Sequence, residues 1–181
     1  MSATLDELFQ RVESMQIPED FHVEIIEGQI VMSPQRATHW TIILLFSQAL
    51  LTECGPAPGR VLSDVRIDFP GPLNGYAPDV ALLTEDSATG GPKYHHSQVQ
   101  LVVEVVSQST RRDDYGIKLT TYATAEVPTY VIVDPTTAWI HVHSQPHQGH
   151  YTRANTYAFG TPLPLAIPPV TVDTSDWPLD T

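Results

Sequence analysis

Residues 101–123 read "LVVEVVSQSTRRDDYGIKLTTYA" and set one carboxylate, Glu104, inside a run of valines. An unpaired charge is expensive to bury there. Glu104 must be protonated, paired with a cation, or bound to a metal. Strand alternation puts it on one face with Val102 and Val106. Asp79 opens a second apolar run, "PDVALL", and shares a face with Ala81 and Leu83. Taken alone, an Asp at the start of a strand is a turn acceptor. Two carboxylates at facing ends of neighbouring strands are different, because they repel unless a divalent cation lies between them. Lys118 lies three residues after Tyr115 and four before Tyr122, on one helix face. Spacing leaves two arrangements open for its amine. It points towards the strand ends if that face packs on a sheet, or it sits on the helix flank in an i,i+4 pair with Asp114. The blandest reading of the set is a Glu104–Lys118 ion pair in an ordinary α/β domain, which carries little net stability.

These residues need elements to hold them. "VQLVVEVVS" is apolar except for Glu104 and reads as a central strand. Thr110 with Asp113 three residues on resembles a capping box, predicting a helix through about Ala125. "YAPDVALLT" predicts a short buried strand. "TYVIVD" and "AWIHVHS" predict two more, joined at Asp134-Pro135. Upstream, "ATLDELFQRVESMQ" has the helical spacing of Leu5, Leu8, Phe9 and Val12, and "FHVEIIEGQIVMSP" reads as a hairpin about Glu27-Gly28. "THWTIILLFSQALLTE" is apolar on nearly every side, a buried helix with Thr38 as its cap and Gly55 past its end. "RVLSDVRIDF" alternates as one half-exposed strand. "EDSATGGPKYHHS", including Gly90-Gly91, has loop composition, and the Pro-rich tail from 161 is expected to run extended. The pattern predicts an α/β fold: a mixed β-sheet flanked by helices, with an N-terminal hairpin. An N-terminal helix covers 1–17 and a single domain 18–177.

The 181 residues carry 9 basic and 21 acidic side chains, a formal charge of −12. Non-specific nucleic-acid binders carry the opposite sign. Arg111, Arg112 and Lys118 nevertheless cluster in the stretch quoted above. The acidic start of the chain is unlike a signal peptide, and "IILLF" at 42–46 is too short to span a bilayer. The single cysteine, Cys54, suits a reducing compartment. A cytoplasmic protein without membrane contact is expected. His141, His143, His147, His150 and the pair His95-His96 lack the spacing of a zinc site.

Three segments together carry a resemblance: "PDV" at 78–80, "VVEVVSQSTRRDDYGIKLTTYATAEVPTYVIVDP" at 102–135, and "EIIEGQIVMSP" followed by His39. The chain resembles the Uma-type restriction endonuclease family, a branch of the PD-(D/E)XK nuclease superfamily. That resemblance implies a restriction-endonuclease-like fold and a metal-dependent endonuclease cutting DNA. Asp79 and Glu104, with the carbonyl of Val105, would hold Mg²⁺ or Mn²⁺. The superfamily's usual strand lysine is replaced by Val106, and Lys118 matches the helical lysine of this branch. Gln108 departs from the family's proline. His39, Glu24 and Ser107 match supporting positions. Their plainer roles are a helix-start hydrogen bond, a hairpin pair and a turn start. The alternative function is a catalytically silent binding or assembly module of the same fold. A homodimer would suit the cutting of two strands, though no residue pattern shows one.

Overall fold

The computed structural model describes residues 3–18, 21–34, 36–55, 59–87 and 91–180. Helix α1, Leu5–Ser14, starts at Thr4, whose side chain and that of Glu7 cap each other's backbone N–H groups. It rests where a Cβ at Gly75 would collide with the ring of Phe9. The hairpin β1, Phe21–Ile26, and β2, Gln29–Pro34, turns at Glu27 and Gly28, both with positive φ. That is the turn whose twist matches a two-residue hairpin. Helix α2, Ala37–Glu53, follows. Its N-cap is Arg36 and makes no side-chain cap, and the expected cap, Thr38, lies two residues inside the helix.

The stretch read as one strand, "RVLSDVRIDF", is two: β3, Val61–Leu62, and β4, Ile67–Phe69, in different sheets. The break falls at Asp64, whose φ of 56 is left-handed and whose N–H donates to Pro78 O. Three short strands follow: β5, Asn74–Tyr76; β6, Val80–Leu83; and β7, Tyr94–His95, ahead of a 3₁₀ turn at His96–Gln98. Strands β5 and β7 were not apparent from the sequence, and β7 sits within the stretch read as loop. Residues 88–90 of that loop, Gly90 among them, lie outside the described residues.

Strand β8, Val99–Val105, runs between β6 and β9, Thr129–Asp134, antiparallel to the first and parallel to the second. Its connection to β9 is helical but broken, with α3, Arg111–Asp114, and α4, Ile117–Thr124, separated at Gly116. The expected capping box is absent, since Thr110 Oγ1 accepts from Ser107 N–H at 3.1 Å instead. Strand β10, Trp139–His147, pairs with β9 and with β11, His150–Ala158, a strand the sequence reading did not identify. The tail folds back as a hairpin of β12, Leu163–Leu165, and β13, Val170–Val172.

The mixed six-stranded sheet, β11-β10-β9-β8-β6-β3, divides two cores. Leu101, Val103 and Val105 face Ile42, Phe46 and Leu50 of α2, with the tail hairpin and Trp177. Val102 and Val106 face Tyr122 of α4 and the five-stranded sheet β2-β1-β5-β4-β7. The period of two in β8 therefore sends Glu104 to the α4 side. Among the described residues, no helix is long and apolar enough to cross a membrane.

Candidate active site

Glu104 is 3 % exposed and Lys118 2 %, and the two meet. Lys118 Nζ donates to Glu104 Oε1 at 3.0 Å, lies 2.5 Å from Glu24 Oε2 and 3.4 Å from Asp114 Oδ1. Of the two arrangements left open for the lysine, the inward one is realised, and the pair with Asp114 forms there as well. It packs on the sheet and it pairs with Asp114, inside the protein and not on a flank. Tyr122 O–H donates to the same Glu104 Oε1 at 2.5 Å. Its ring stands edge-on to those of Tyr76 and Phe69, in an apolar setting that strengthens every charge contact.

The strand ends line one cavity of about 30 Å³, large enough for a water or an ion. Its walls include His22, Glu24, His39, Asp79, Glu104, Val105, Ser107, Asp114 and Lys118. Asp79, Glu104, Val105, Lys118, His39, Glu24 and Ser107 therefore come together, although they derive from β1, α2, β8, α4 and two loops. Asp79 precedes β6 and accepts from Val105 N–H through Oδ2 at 2.7 Å. Glu24 is not merely a hairpin pair, since its Oε1 also accepts from Ala77 N–H at 3.0 Å. His39 Nε2 donates to Val106 O at 3.2 Å. That bond ties the helix to the end of β8, whereas a helix-start hydrogen bond had been the plainer expectation. Ser107 bonds Ser109 at 2.8 Å and Thr110 at 3.1 Å through its hydroxyl, so it organises the turn into α3 while lining the cavity.

Two members were missed. His22 lies two residues before Glu24 on the same strand face, which is the signal that could have found it. Its Nε2 is 3.6 Å from Glu24 Oε2. Asp64 Oδ1 comes within 2.7 Å of its Nδ1, but off the N–H direction, so this is an ion-pair contact without a directed hydrogen bond. Tyr122, read only as a neighbour of Lys118, is the second hydrogen-bond partner of Glu104.

Four carboxylates thus share one cavity with the Lys118 amine and the imidazoles of His22 and His39. Burial alone would raise the acids and lower the bases. For Glu104, burial outweighs the attraction of Lys118, and the charges of Glu24 and Asp79 add to it, raising its pKa to about 7. Burial likewise raises Asp79 to about 6 against the pull of His22 and the Val105 N–H, and Asp114 to about 7 against the pull of Lys118. Glu24 goes the other way, to about 2, because Lys118 and His22 overcome its burial. His22 is held up to about 10, since Asp64 and Glu24 overcome burial. Lys118 overcomes its own burial through Glu104, Glu24 and Asp114 and is held well above an ordinary lysine.

The oxygens that could hold a hard divalent cation are the unengaged ones of the carboxylates. Asp79 Oδ1 and Glu104 Oε2 accept no hydrogen bond from a described residue, and Asp114 Oδ1 is buried without one. Among the described residues no three His, Cys, Asp or Glu side chains close into a metal cage. Mg²⁺ is suited to such a sparse site, since it keeps several waters and takes one or two carboxylates. The other histidines have different neighbours: His141 meets the edge of Tyr115, His143 lies by Tyr130 and Tyr151, and His96 by His95. Of the clustered cations, Arg111 is held by Asp134 at 2.7 Å, and Arg112 is exposed.

Comparison with known proteins places the chain in a family and a fold. The profile of the Uma2 family, described as "Putative restriction endonuclease", matches residues 6–175. A solved structure described as "a putative nuclease belonging to DUF820" from Anabaena variabilis ATCC 29413 superposes with a TM-score of 0.72. It is 16 % identical and the match covers 97 % of this chain and 99 % of that one, so the likeness is one of fold. A search of curated proteins finds no match.

Proposed function

Since the chain belongs to the Uma2 restriction endonuclease family, we propose that it is a metal-dependent endonuclease hydrolysing DNA phosphodiester bonds at the Asp79–Glu104–Lys118 cavity. The observation that carries this reading is the convergence of those three side chains on one small cavity at the strand ends. Asp79 and Glu104, with the Val105 carbonyl, would hold Mg²⁺ or Mn²⁺. Bound there, the ion would supply a water of lowered pKa and charge stabilisation at the phosphate oxygens.

The chain's own groups divide the remaining work. Lys118 stays protonated, because three carboxylates hold its proton. It therefore acts as a fixed donor and positive charge, orienting the attacking water and stabilising the phosphate as charge builds there. It does not serve as a general base. His22, an imidazolium at neutral pH, places a second positive charge on the same wall. Glu24 fixes Lys118 from the hairpin side, and Tyr122 fixes Glu104 from below. His39 and Ser107 hold the end of β8 and the turn after it, which keeps the cavity's mouth in shape.

A second reading has its own support. Lys118 is already balanced by three carboxylates and Arg111 by Asp134. With a net charge of −12, little free positive charge remains for a DNA backbone. That favours a catalytically silent module. Plasmid nicking with Mn²⁺ or Mg²⁺ separates the two. Cleavage that Asp79→Asn and Glu104→Gln both abolish supports the enzyme. Calorimetry showing metal uptake without cleavage or DNA binding supports the module, and neither uptake nor cleavage rejects the metal site altogether.

A further inference from the structure

A second cavity, of about 360 Å³, opens between β10, β11 and the tail hairpin. That volume falls in the range of small-molecule sites. It lies on the far face of the six-stranded sheet from Glu104, since Val142 and Leu165 in its wall belong to the core beneath α2. It also meets β9 at the first residue, Thr129, whereas the Asp79–Glu104–Lys118 cavity adjoins Val105, which pairs with Val133 near the other end. In a chain of 21 acidic side chains, no Asp or Glu lines it, and Arg153 does. Arg36, Arg60, Arg66, Lys93, Arg111 and Lys118 each pair with a carboxylate. Arg153 has no such partner among the described residues.

The ladder sets polar and apolar groups at different positions around this cavity. Arg153 stands opposite Ser144, Asn155 opposite Val142 and Tyr157 opposite Ile140, all on one face. The side chains of Ser144, Asn155 and Tyr157 hydrogen-bond no other described residue. Thr129 instead donates its hydroxyl to Ile167 O at 2.6 Å, which ties the tail to the sheet over the cavity. Gln145, also in the wall, has a left-handed φ of 58 inside β10. Strands favour extended backbone, and strain of this kind in a residue with a side chain gathers at ligand sites.

We propose that this cavity binds a small monocarboxylate with an apolar ring body, the carboxylate on Arg153 and Ser144 and the body against Val142, Tyr157 and Leu165. A guanidinium matches a carboxylate with two parallel N–H donors. One arginine balances one negative charge. A dianion would add uncompensated charge to a chain already at −12. The body must be apolar because Val142 and Leu165 offer no hydrogen bond, and it would cover Ile167, which is 44 % exposed at the rim. Pro128, Pro146 and Pro164 complete walls whose rings are already fixed, so little order is lost on binding.

Titration of the full chain with naphthoate, followed by calorimetry, tests this against naphthamide, a neutral isostere, and naphthyl phosphate, a dianion. Naphthoate should saturate at one per chain and bind at least about tenfold tighter than naphthamide, the weight of a hydrogen bond to a charged group. Arg153→Gln should remove that difference and leave naphthamide unchanged. Ser144→Phe, which fills the cavity beside Arg153, should abolish both. Glu104→Gln should bind naphthoate as the parent does, because the sheet separates the two cavities. Naphthoate that does not saturate, or that binds no tighter than naphthamide, overturns the proposal. So does naphthoate binding that survives Arg153→Gln in a variant whose circular dichroism matches the parent. Tighter binding of naphthyl phosphate than of naphthoate overturns it in favour of a phosphate ligand.

Discussion

Lys118 Nζ stands 3.0 Å from Glu104 Oε1, a helix amine and a strand carboxylate 14 residues apart and both almost fully buried. The contact makes a charge tolerable among valines, and it makes Lys118 the hub of a site that also needs Glu24 and Asp114. Removing a hub of this kind costs more than the pair itself contributes, because the remaining partners are left as uncompensated buried charges.

Lys118→Met is therefore expected to destabilise the fold by about 3–5 kcal/mol and to remove cleavage. The loss should be smaller at about pH 5 than at about pH 8, since the orphaned carboxylates can then take up protons. Urea denaturation at the two pH values measures it. Equal losses at both would mean that the carboxylates do not share Lys118.

The pH dependence of the metal-free protein follows from opposing groups. Glu104 and Asp114, raised to about 7, and Asp79, raised to about 6, hold more protons folded than unfolded. Their contributions favour the fold at low pH and are lost as pH rises through 6 to 7. Glu24, lowered to about 2, contributes stability above its ordinary 4.5 that is lost as pH falls through 2. His22 contributes below 6.5 and loses its contribution as pH rises through about 10. Thermal melting should therefore peak at about pH 5 and decline towards about pH 8. Added Mn²⁺ should raise the melting temperature most at the alkaline end, where the carboxylates are charged. A flat Mn²⁺ effect across pH would count against ligation by Asp79 and Glu104.

Tyr122→Phe deletes a hydrogen bond of 2.5 Å to Glu104. A bond to a charged group is worth about 1.5–3 kcal/mol, so a loss of that order is expected in chemical denaturation. The same bond lowers the pKa of Glu104. Its removal should therefore move the acidic limb of the cleavage–pH profile upwards. A lower rate with an unmoved limb would give Tyr122 a packing role only.

Gly116 breaks the connection into α3 and α4, and a Cβ there would lie 2.6 Å from the carbonyl oxygen of Arg112. Gly116→Ala should force the two helices apart and shift Lys118 relative to Asp114. Misplacement of about 1 Å in an active site can cost about a hundredfold in rate. Steady-state cleavage should fall by that order, with a smaller change in melting temperature. Unchanged cleavage would show that α3 can move without disturbing Lys118.

Three candidate site residues stand out in the sequence because their signals are local. Glu104 stands out as a charge in an apolar run, Asp79 as an acid at a strand start, and Lys118 through its spacing from Tyr115 and Tyr122. The strands β6, β8, β9 and β10 and the helix α2 were legible for the same reason, as continuous apolar runs. What was illegible depends on partners distant in the chain. "RVLSDVRIDF" alternates as one strand should, but Asp64 takes a left-handed turn beside Pro78 and His22. Strand β11 is too polar to announce itself, and it forms because β10 supplies a ladder. The helix after Thr110 looked continuous because nothing local reveals how closely Gly116 approaches Arg112.

The sequence by itself determined which groups could do chemistry, since side-chain type and strand or helix period are properties of neighbours in the chain. Only the tertiary structure decided how they act. Lys118 could have been a flank ion pair or an inward amine, and it turns inward with its Asp114 pair because the six-stranded sheet and the hairpin close over it. Glu24 and His22 joined the site through the same closure, which brings β1 against the strand ends. Burial in that enclosure sets the charge of each group, and no window of sequence contains it.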